Sequence, residues 1–229
     1  MKSVPIDIRI SSLIAGARAA RGVAVIIDVF RASSSIVAAF GAGAERVIPV
    51  GGLDAAYQLK KRNPAFLLFG ERGGLPPDGF DSGNSPPAIA AMDLHGKTVI
   101  LTTSAGTQGI VNAAGADEVL VGCFLNARAV GEYLLAREPR EACLVAMGVG
   151  GVGPALEDDL CASYIRSIML GEDTDHDRML EAIMEHPEAT KFLEQGSPLF
   201  NPEDVHFSLR PNVYSIVPRY VKDVGLAAG

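Results

Sequence analysis

Val23-Ala-Val-Ile-Ile-Asp-Val-Phe-Arg-Ala-Ser-Ser-Ser35 is the stretch on which the fold turns. An unbroken aliphatic run rich in β-branched residues is what a strand covered on both faces looks like. It ends in Asp28, a carboxylate that should be partly buried because it closes an apolar run. A Ser-rich turn and a helical pattern over Ser33–Ala42 follow.

The same alternation extends outward from this unit. Strands are expected over Val23–Asp28, Arg46–Val50, Phe66–Phe69, Thr98–Thr102, Glu118–Val121 and Cys143–Met147. Helices are expected over Ser33–Ala42, Leu53–Arg62, Ser85–Met92, Thr107–Ala114, Asn126–Arg137 and Ala155–Leu170. Strand–helix alternation predicts a mostly parallel sheet with helices on both faces. The chain also echoes itself. Gly41-Ala-Gly-Ala-Glu-Arg-Val-Ile-Pro-Val50 resembles Ala114-Gly-Ala-Asp-Glu-Val-Leu-Val121. Each follows a strand and a Ser/Thr-rich turn, and each precedes a helix, a strand and a Gly-rich turn. Two β-α-β-α-β units, about residues 23–74 and 97–153, are therefore read as internal repeats of one domain spanning residues 1–229. Beyond Leu156 a long helix, the acidic patch Glu172-Asp-Thr-Asp-His-Asp177 and a second helix are expected. Two tail strands, Val205–Leu209 and Val213–Val217, are expected to pair at a sheet edge.

Composition excludes several classes. The 229 residues are 48% hydrophobic and 21% charged, a globular balance with enough length for a full core. Lys+Arg 20 against Asp+Glu 27 gives a net charge of −7, which argues against nucleic acid and anionic membranes as partners. Cys123, Cys143 and Cys161 are far apart and form no Cys-x-x-Cys, so free thiols in a reducing cytoplasm are expected. The apolar stretch Ser11–Ala17 faintly echoes a signal-peptide core, but Asp7, Arg9 and Arg18 bracket it closely. A homodimer is expected only as a base rate for cytoplasmic proteins.

Ligands of open α/β sheets bind beyond the carboxyl ends of the strands. The polar residues placed there are Asp28, Arg31 and Ser33, then Glu71, Arg72, Asp81 and Asn84, then Thr103 and Ser104, then Glu157 and Asp158. Arginines and hydroxyls suit phosphate oxygens, and carboxylates suit a divalent cation such as Mg2+. Ser33, Ser34 and Ser104 taken singly read as helix caps. Glu157 and Asp158 taken singly read as partners of a helix dipole. The long irregular segment Gly70–Pro87 adds weight to a functional reading. Gly148-Val-Gly-Gly-Val-Gly153 mimics a dinucleotide fingerprint, but no apolar strand ending in an acidic residue follows at the required distance. Its glycines are read as a close backbone approach to an anion or as a tight crossover. His95, His176, His186 and His206 share no metal-ligand spacing. His95 is expected at the surface, while His206 stays open as a site residue.

Several of these stretches together resemble the 2-phosphosulfolactate phosphatase (ComB) family: Ile27–Val37, Gly70-Glu-Arg-Gly-Gly74 with Gly79–Pro86, Thr102-Thr-Ser-Ala-Gly-Thr107, Glu157-Asp-Asp-Leu-Cys-Ala162 and His186-Pro-Glu-Ala-Thr190, continuing to the tail near Asp204 and Pro218. Ala105 departs from the motif, where Asn is common. The resemblance implies a three-layer α/β/α fold of two similar, intertwined halves. It implies a Mg2+-dependent phosphoric monoester hydrolase acting on 2-phospho-3-sulfolactate, a step toward coenzyme M, or on a related phosphorylated 2-hydroxy acid. The expected catalytic carboxylates are Asp28 and Asp158. Arg31, Ser33, Arg72, Asn84, Thr103 and Ser104 are expected to bind substrate, with metal ligands drawn from Asp28, Glu71, Asp81, Glu157 and Asp158. The alternatives are a binding protein that senses an anionic metabolite without turnover and a nicotinamide-dependent oxidoreductase.

Overall fold

The computed structural model describes residues 6–193 and 200–228. Among these residues nine strands form one sheet: β1 (Asp7–Ser12), β2 (Val23–Ile27), β3 (Arg46–Pro49), β4 (Leu67–Gly70), β5 (Thr98–Thr102), β6 (Glu118–Gly122), β7 (Glu141–Ala146), β8 (Pro218–Val221) and β9 (Gly225–Ala228). The helices are α1 (Leu13–Ala19), α2 (Ala32–Gly41), α3 (Leu53–Arg62), α4 (Pro86–Ala90), α5 (Gly106–Asn112), α6 (Ala127–Arg137), α7 (Leu156–Leu170), α8 (His176–Glu185), α9 (Pro187–Leu193) and α10 (Pro202–Ser208). Strand order is β1-β7-β2-β6-β8-β9-β3-β5-β4, parallel except around β8 and β9.

The order has a simple logic. One unit runs β2-α2-β3-α3-β4 and the next β5-α5-β6-α6-β7. The first strand of each is inserted between the last two of the other. Thus β2 pairs with β6 and β7, and β5 pairs with β3 and β4. The two units are intertwined, and both inserted strands are buried throughout, as their aliphatic composition requires. Side chains of β2 alternate between two cores. Val23, Val25 and Ile27 pack in a cluster with residues of α6 and α7, including Val130, Leu134 and Ile165. Ala24 and Ile26 join a cluster on the opposite face with Ala17 of α1, Ile36 of α2 and Ile110 of α5. A smaller cluster under α3 holds Ala56, Leu68 and Ile100.

The six expected strands and the helices between them all form. The stretch Ser11–Ala17 is the end of β1 and the start of α1, and β1 adds a parallel edge strand on β7. The tail differs from expectation. Val205–Leu209 lies largely in α10, where Asn201 caps the helix by accepting from the Glu203 N–H at 3.0 Å and Pro202 opens it. Val213–Val217 joins no ladder. The tail strands are β8 and β9, further on, and they lie mid-sheet, where they join β6 to β3. The three cysteines are buried free thiols. No helix among the described residues is long and apolar enough to cross a membrane.

Candidate functional site

The turns after the two inserted strands are built alike. After β2, the Asp28 N–H donates to Ser33 Oγ (3.0 Å), which in turn donates to the Ile26 carbonyl (3.1 Å). Asp28 Oδ1 accepts from the Ala32 N–H (3.1 Å). After β5, the Thr103 N–H donates to Thr107 Oγ1 (2.9 Å), and the Thr107 N–H donates back to Thr103 Oγ1 (3.2 Å). The two turns meet where α2 and α5 begin. A Cβ on Gly106 would stand 2.5 Å from Ala32 Cβ and 2.8 Å from Asp28 Oδ2, so only glycine lets the helix starts approach.

A carboxylate then clamps each turn. Glu71, beyond β4, accepts from the Ser104 N–H through Oε1 (2.8 Å) and from the Gly74 N–H through Oε2 (3.0 Å). Asp158, in the first turn of α7, accepts from the Val29 N–H through Oδ1 (2.7 Å) and from the Gly148 N–H through Oδ2 (2.8 Å). Each carboxylate therefore holds one inserted turn against a neighbouring loop.

Between these turns lies a cleft of about 150 Å³ at the carboxyl ends of the strands. Asp28, Arg31, Glu71, Asn84, Thr103, Ser104, Glu157 and Asp158 line it, so the structure brings most of the expected site residues together. The Gly148–Gly153 loop closes one side as a tight turn, bridged by the Val149 N–H to the Gly153 carbonyl at 2.8 Å. At Gly148 φ is +68°, and a Cβ would come within 2.0 Å of that carbonyl oxygen, which explains the glycine without a dinucleotide.

Three expected site residues stand elsewhere. Ser33 is buried and both roles of its hydroxyl are spent on the β2 turn, so it shapes the site without facing it. Arg72 turns away from the cleft, donating to Thr102 Oγ1 (2.7 Å) and to the Glu71 carbonyl (2.6 Å). Asp81 accepts from the Leu68 N–H (2.8 Å) and pairs with Lys60 (3.3 Å) beside α3. His206 is exposed on α10, and His95 is exposed and paired with Asp93. Sequence reasoning missed the wall formed by the chain beyond α8: Glu188, Lys191 and Phe192 of α9, and Phe200. It also missed Asp204 as the partner of Arg31 (2.9 Å), with both groups buried. Arg31 further donates to the Gly74 carbonyl (3.3 Å) and lies over the Phe192 ring. Ser85 Oγ donates to the other Asp204 oxygen. The spacing of Glu188 and Lys191 on one helical face was the available signal, but nothing local tied that helix to the sheet edge.

The electrostatics are lopsided. Burial pushes the Asp28 carboxyl up to about 6, with Glu71 adding to the rise; the Ala32 and Gly106 N–H groups and Arg31 oppose it. Burial pushes Glu157 up to about 7, helped by Glu188 and Asp28 and opposed by its own N–H and by Lys191. Asp158 is raised well above the carboxylate range by burial and then by Asp28 and Glu157. Glu157 Oε2 is buried with no hydrogen-bond partner, and so is Asn84 Oδ1. Among the described residues no three His, Cys, Asp or Glu side chains form a ready-made metal cage.

Residues 9–223 match the family model described as 2-phosphosulpholactate phosphatase. The chain is 37% identical over 210 residues to a probable 2-phosphosulfolactate phosphatase of Thermotoga petrophila, covering 88% of this chain and 90% of that one. A protein of the same name from Caldanaerobacter subterraneus subsp. tengcongensis is 34% identical over 212 residues, covering 85% and 86%. Another, from Pseudothermotoga lettingae, is 36% identical over 214 residues, covering 88% and 90%.

Proposed function

The chain belongs to the 2-phosphosulpholactate phosphatase family, and from that premise we propose that it hydrolyses the phosphate ester of a small anionic 2-hydroxy acid, 2-phospho-3-sulfolactate first among them. The observation that carries this reading is one cleft in which the buried carboxylates of Asp28, Glu157 and Asp158 face Arg31. Uncompensated negative charge beside an arginine is of no use to an anion pocket unless a cation joins it.

The residues fit a divalent cation. Glu157 Oε2 is an orphaned buried oxygen, and the neighbouring carboxylates raise one another's proton affinity, as acceptors short of a positive partner do. Oxygen donors of this kind suit Mg2+. Glu157, whose Oε2 has no hydrogen-bond partner, would hold the ion in an open site. When bound, Mg2+ neutralises charge on the phosphoryl oxygens and polarises phosphorus.

The chain's own residues do the rest. Arg31, fixed by Asp204, binds phosphoryl oxygens, and the Ser104 hydroxyl and the Asn84 amide orient them. Asp28, held rigidly under the first N–H groups of α2 and α5, takes the proton from the attacking water. The water oxygen bonds to phosphorus and the bond from phosphorus to the substrate's C2 oxygen breaks; that oxygen takes a proton from solvent and leaves as the alcohol, while Asp28 gives up its proton to solvent and returns to the carboxylate. Asp158 and Glu71 are positioning residues, because both oxygens of each already hold backbone N–H groups. Both halves contribute to the one cleft, so the chain works as one domain.

The test is phosphate release from 2-phospho-3-sulfolactate and a panel of phosphorylated 2-hydroxy acids, with Mg2+ and after chelation. Mg2+-dependent release, fastest on a substrate with a second anionic group, is expected. A folded protein that releases phosphate from none of them would overturn the reading.

A further inference from the structure

Two cations line the cleft among the described residues: Arg31 and Lys191. They are placed very differently. Arg31 is buried, with its guanidinium shared between Asp204, the Gly74 carbonyl and the Phe192 ring. Lys191 is about one third exposed at the cleft wall, on α9. Its ammonium pairs with Glu188 one turn earlier and lies 5.9 Å from the Phe192 centroid and 5.4 Å from that of Phe200. Two aromatic faces steady the lysine from one side, while its carboxylate partner is itself a cleft residue.

With Arg72 turned away, the cleft has one fixed cation for a phosphoryl group and one adaptable cation. A substrate carrying phosphate and a second strong anion needs both. We propose that Lys191 is the specificity-determining residue, receiving the second anionic group of the substrate, a sulfonate or carboxylate, in place of Glu188. This inference rests on the phosphatase reading, because the geometry of two anions on one small acid comes from it. A lysine suits the exchange better than an arginine would, since its point charge is not committed to a fixed fork. Glu188 holds the ammonium at the wall of the empty cleft. A ligand anion that takes the ammonium leaves Glu188 beside its solvated end, where the loss of a partly exposed ion pair costs little.

The test is binding, so it does not depend on turnover. The affinities of 3-sulfolactate and of inorganic phosphate are measured by calorimetry, with Mg2+ present, for the wild-type chain, Lys191→Gln and Lys191→Arg. The ratio of sulfolactate to phosphate affinity is expected to fall about tenfold in Lys191→Gln, as for loss of one charge-assisted contact. Lys191→Arg is expected to recover most of it. An unchanged ratio, an equal loss for both ligands, or no sulfolactate binding by the wild type would each overturn the assignment. Phosphate release by the wild type is scored separately: without it the phosphatase reading fails, whatever the affinity ratio does.

Discussion

The half built on β2 and the half built on β5 share one frame and differ in charge. In each, an inserted strand ends in a turn closed by hydroxyl–backbone hydrogen bonds, and a carboxylate from another segment ties that turn to a neighbouring loop. Where the first half ends its strand in Asp28, the second ends it in Thr103. Where the first clamps with Asp158 and carries Glu157 beside it, the second clamps with Glu71 alone. The frame thus presents two equivalent turns to one cleft, and under the proposed mechanism divergence at matched positions would make one turn reactive and the other a cradle.

The largest expected effect separates the two strand ends. Asp28→Asn should lower turnover about 10³-fold, the scale of a lost general base. Thr103→Val at the matched position should cost roughly tenfold or less, as a single neutral hydrogen bond does. Steady-state phosphate release reads both, with thermal melts to show that the variants fold. Equal losses would break the asymmetry.

Gly106→Ala strikes the point where the halves touch. A methyl 2.5 Å from Ala32 Cβ must push the two turns apart. Turnover is expected to fall roughly 10- to 100-fold, because small displacements of reacting groups are costly. Stability should drop by about 1–3 kcal/mol, as for other overpacked sites. A neutral Gly106→Ala in both assays would mean the turns do not need their contact.

The two kinds of carboxylate should respond with opposite sign. Glu71→Gln sets an amide N–H₂ against the Ser104 or Gly74 N–H and should destabilise by about 1–3 kcal/mol in denaturant melts. Glu157→Gln removes a buried carboxylate one of whose oxygens has no hydrogen-bond partner, so the chelated protein should become more stable while losing activity. Glu157→Gln melting below wild type in chelator would contradict that account.

The smallest effect is a pH slope. The folded state raises Asp28 from 3.8 to about 6 and Glu157 from 4.5 to about 7, so it binds more protons than the unfolded chain between these values. These groups therefore make stability fall as pH rises through that window. Melting temperature of the chelated protein should decline from pH 5 to pH 8, and Mg2+ should restore more at pH 8 than at pH 5. Glu157→Gln should flatten the slope.

The sequence made much of this legible. Buried parallel strands announce themselves as continuous aliphatic runs, so β2, β5 and β7 could be found by inspection, and the residues just beyond them fell into one cleft. Edge strand β1 was not found, because its exposed Asp-Ile-Arg-Ile-Ser-Ser lacks that signal. The tail was misplaced because Val205–Leu209 has a strand's composition while Asn201-Pro202 starts a helix. Arg72 and Asp81 passed the strand-end filter, yet their side chains are taken by Thr102, the Glu71 carbonyl, Leu68 and Lys60. Lys191 escaped it because it reaches the cleft, and Asp204 because it reaches Arg31, from helices distant in sequence, and no local pattern encodes those contacts.

The most direct test of the central claim, that the β2 half is a cation-dependent reactive half, is to titrate Mg2+ into chelated wild-type protein while following phosphate release from 2-phospho-3-sulfolactate. Saturable activation from a near-zero baseline is predicted, weakened in Glu157→Gln. Full turnover in excess chelator, unaffected by Glu157→Gln, would contradict it.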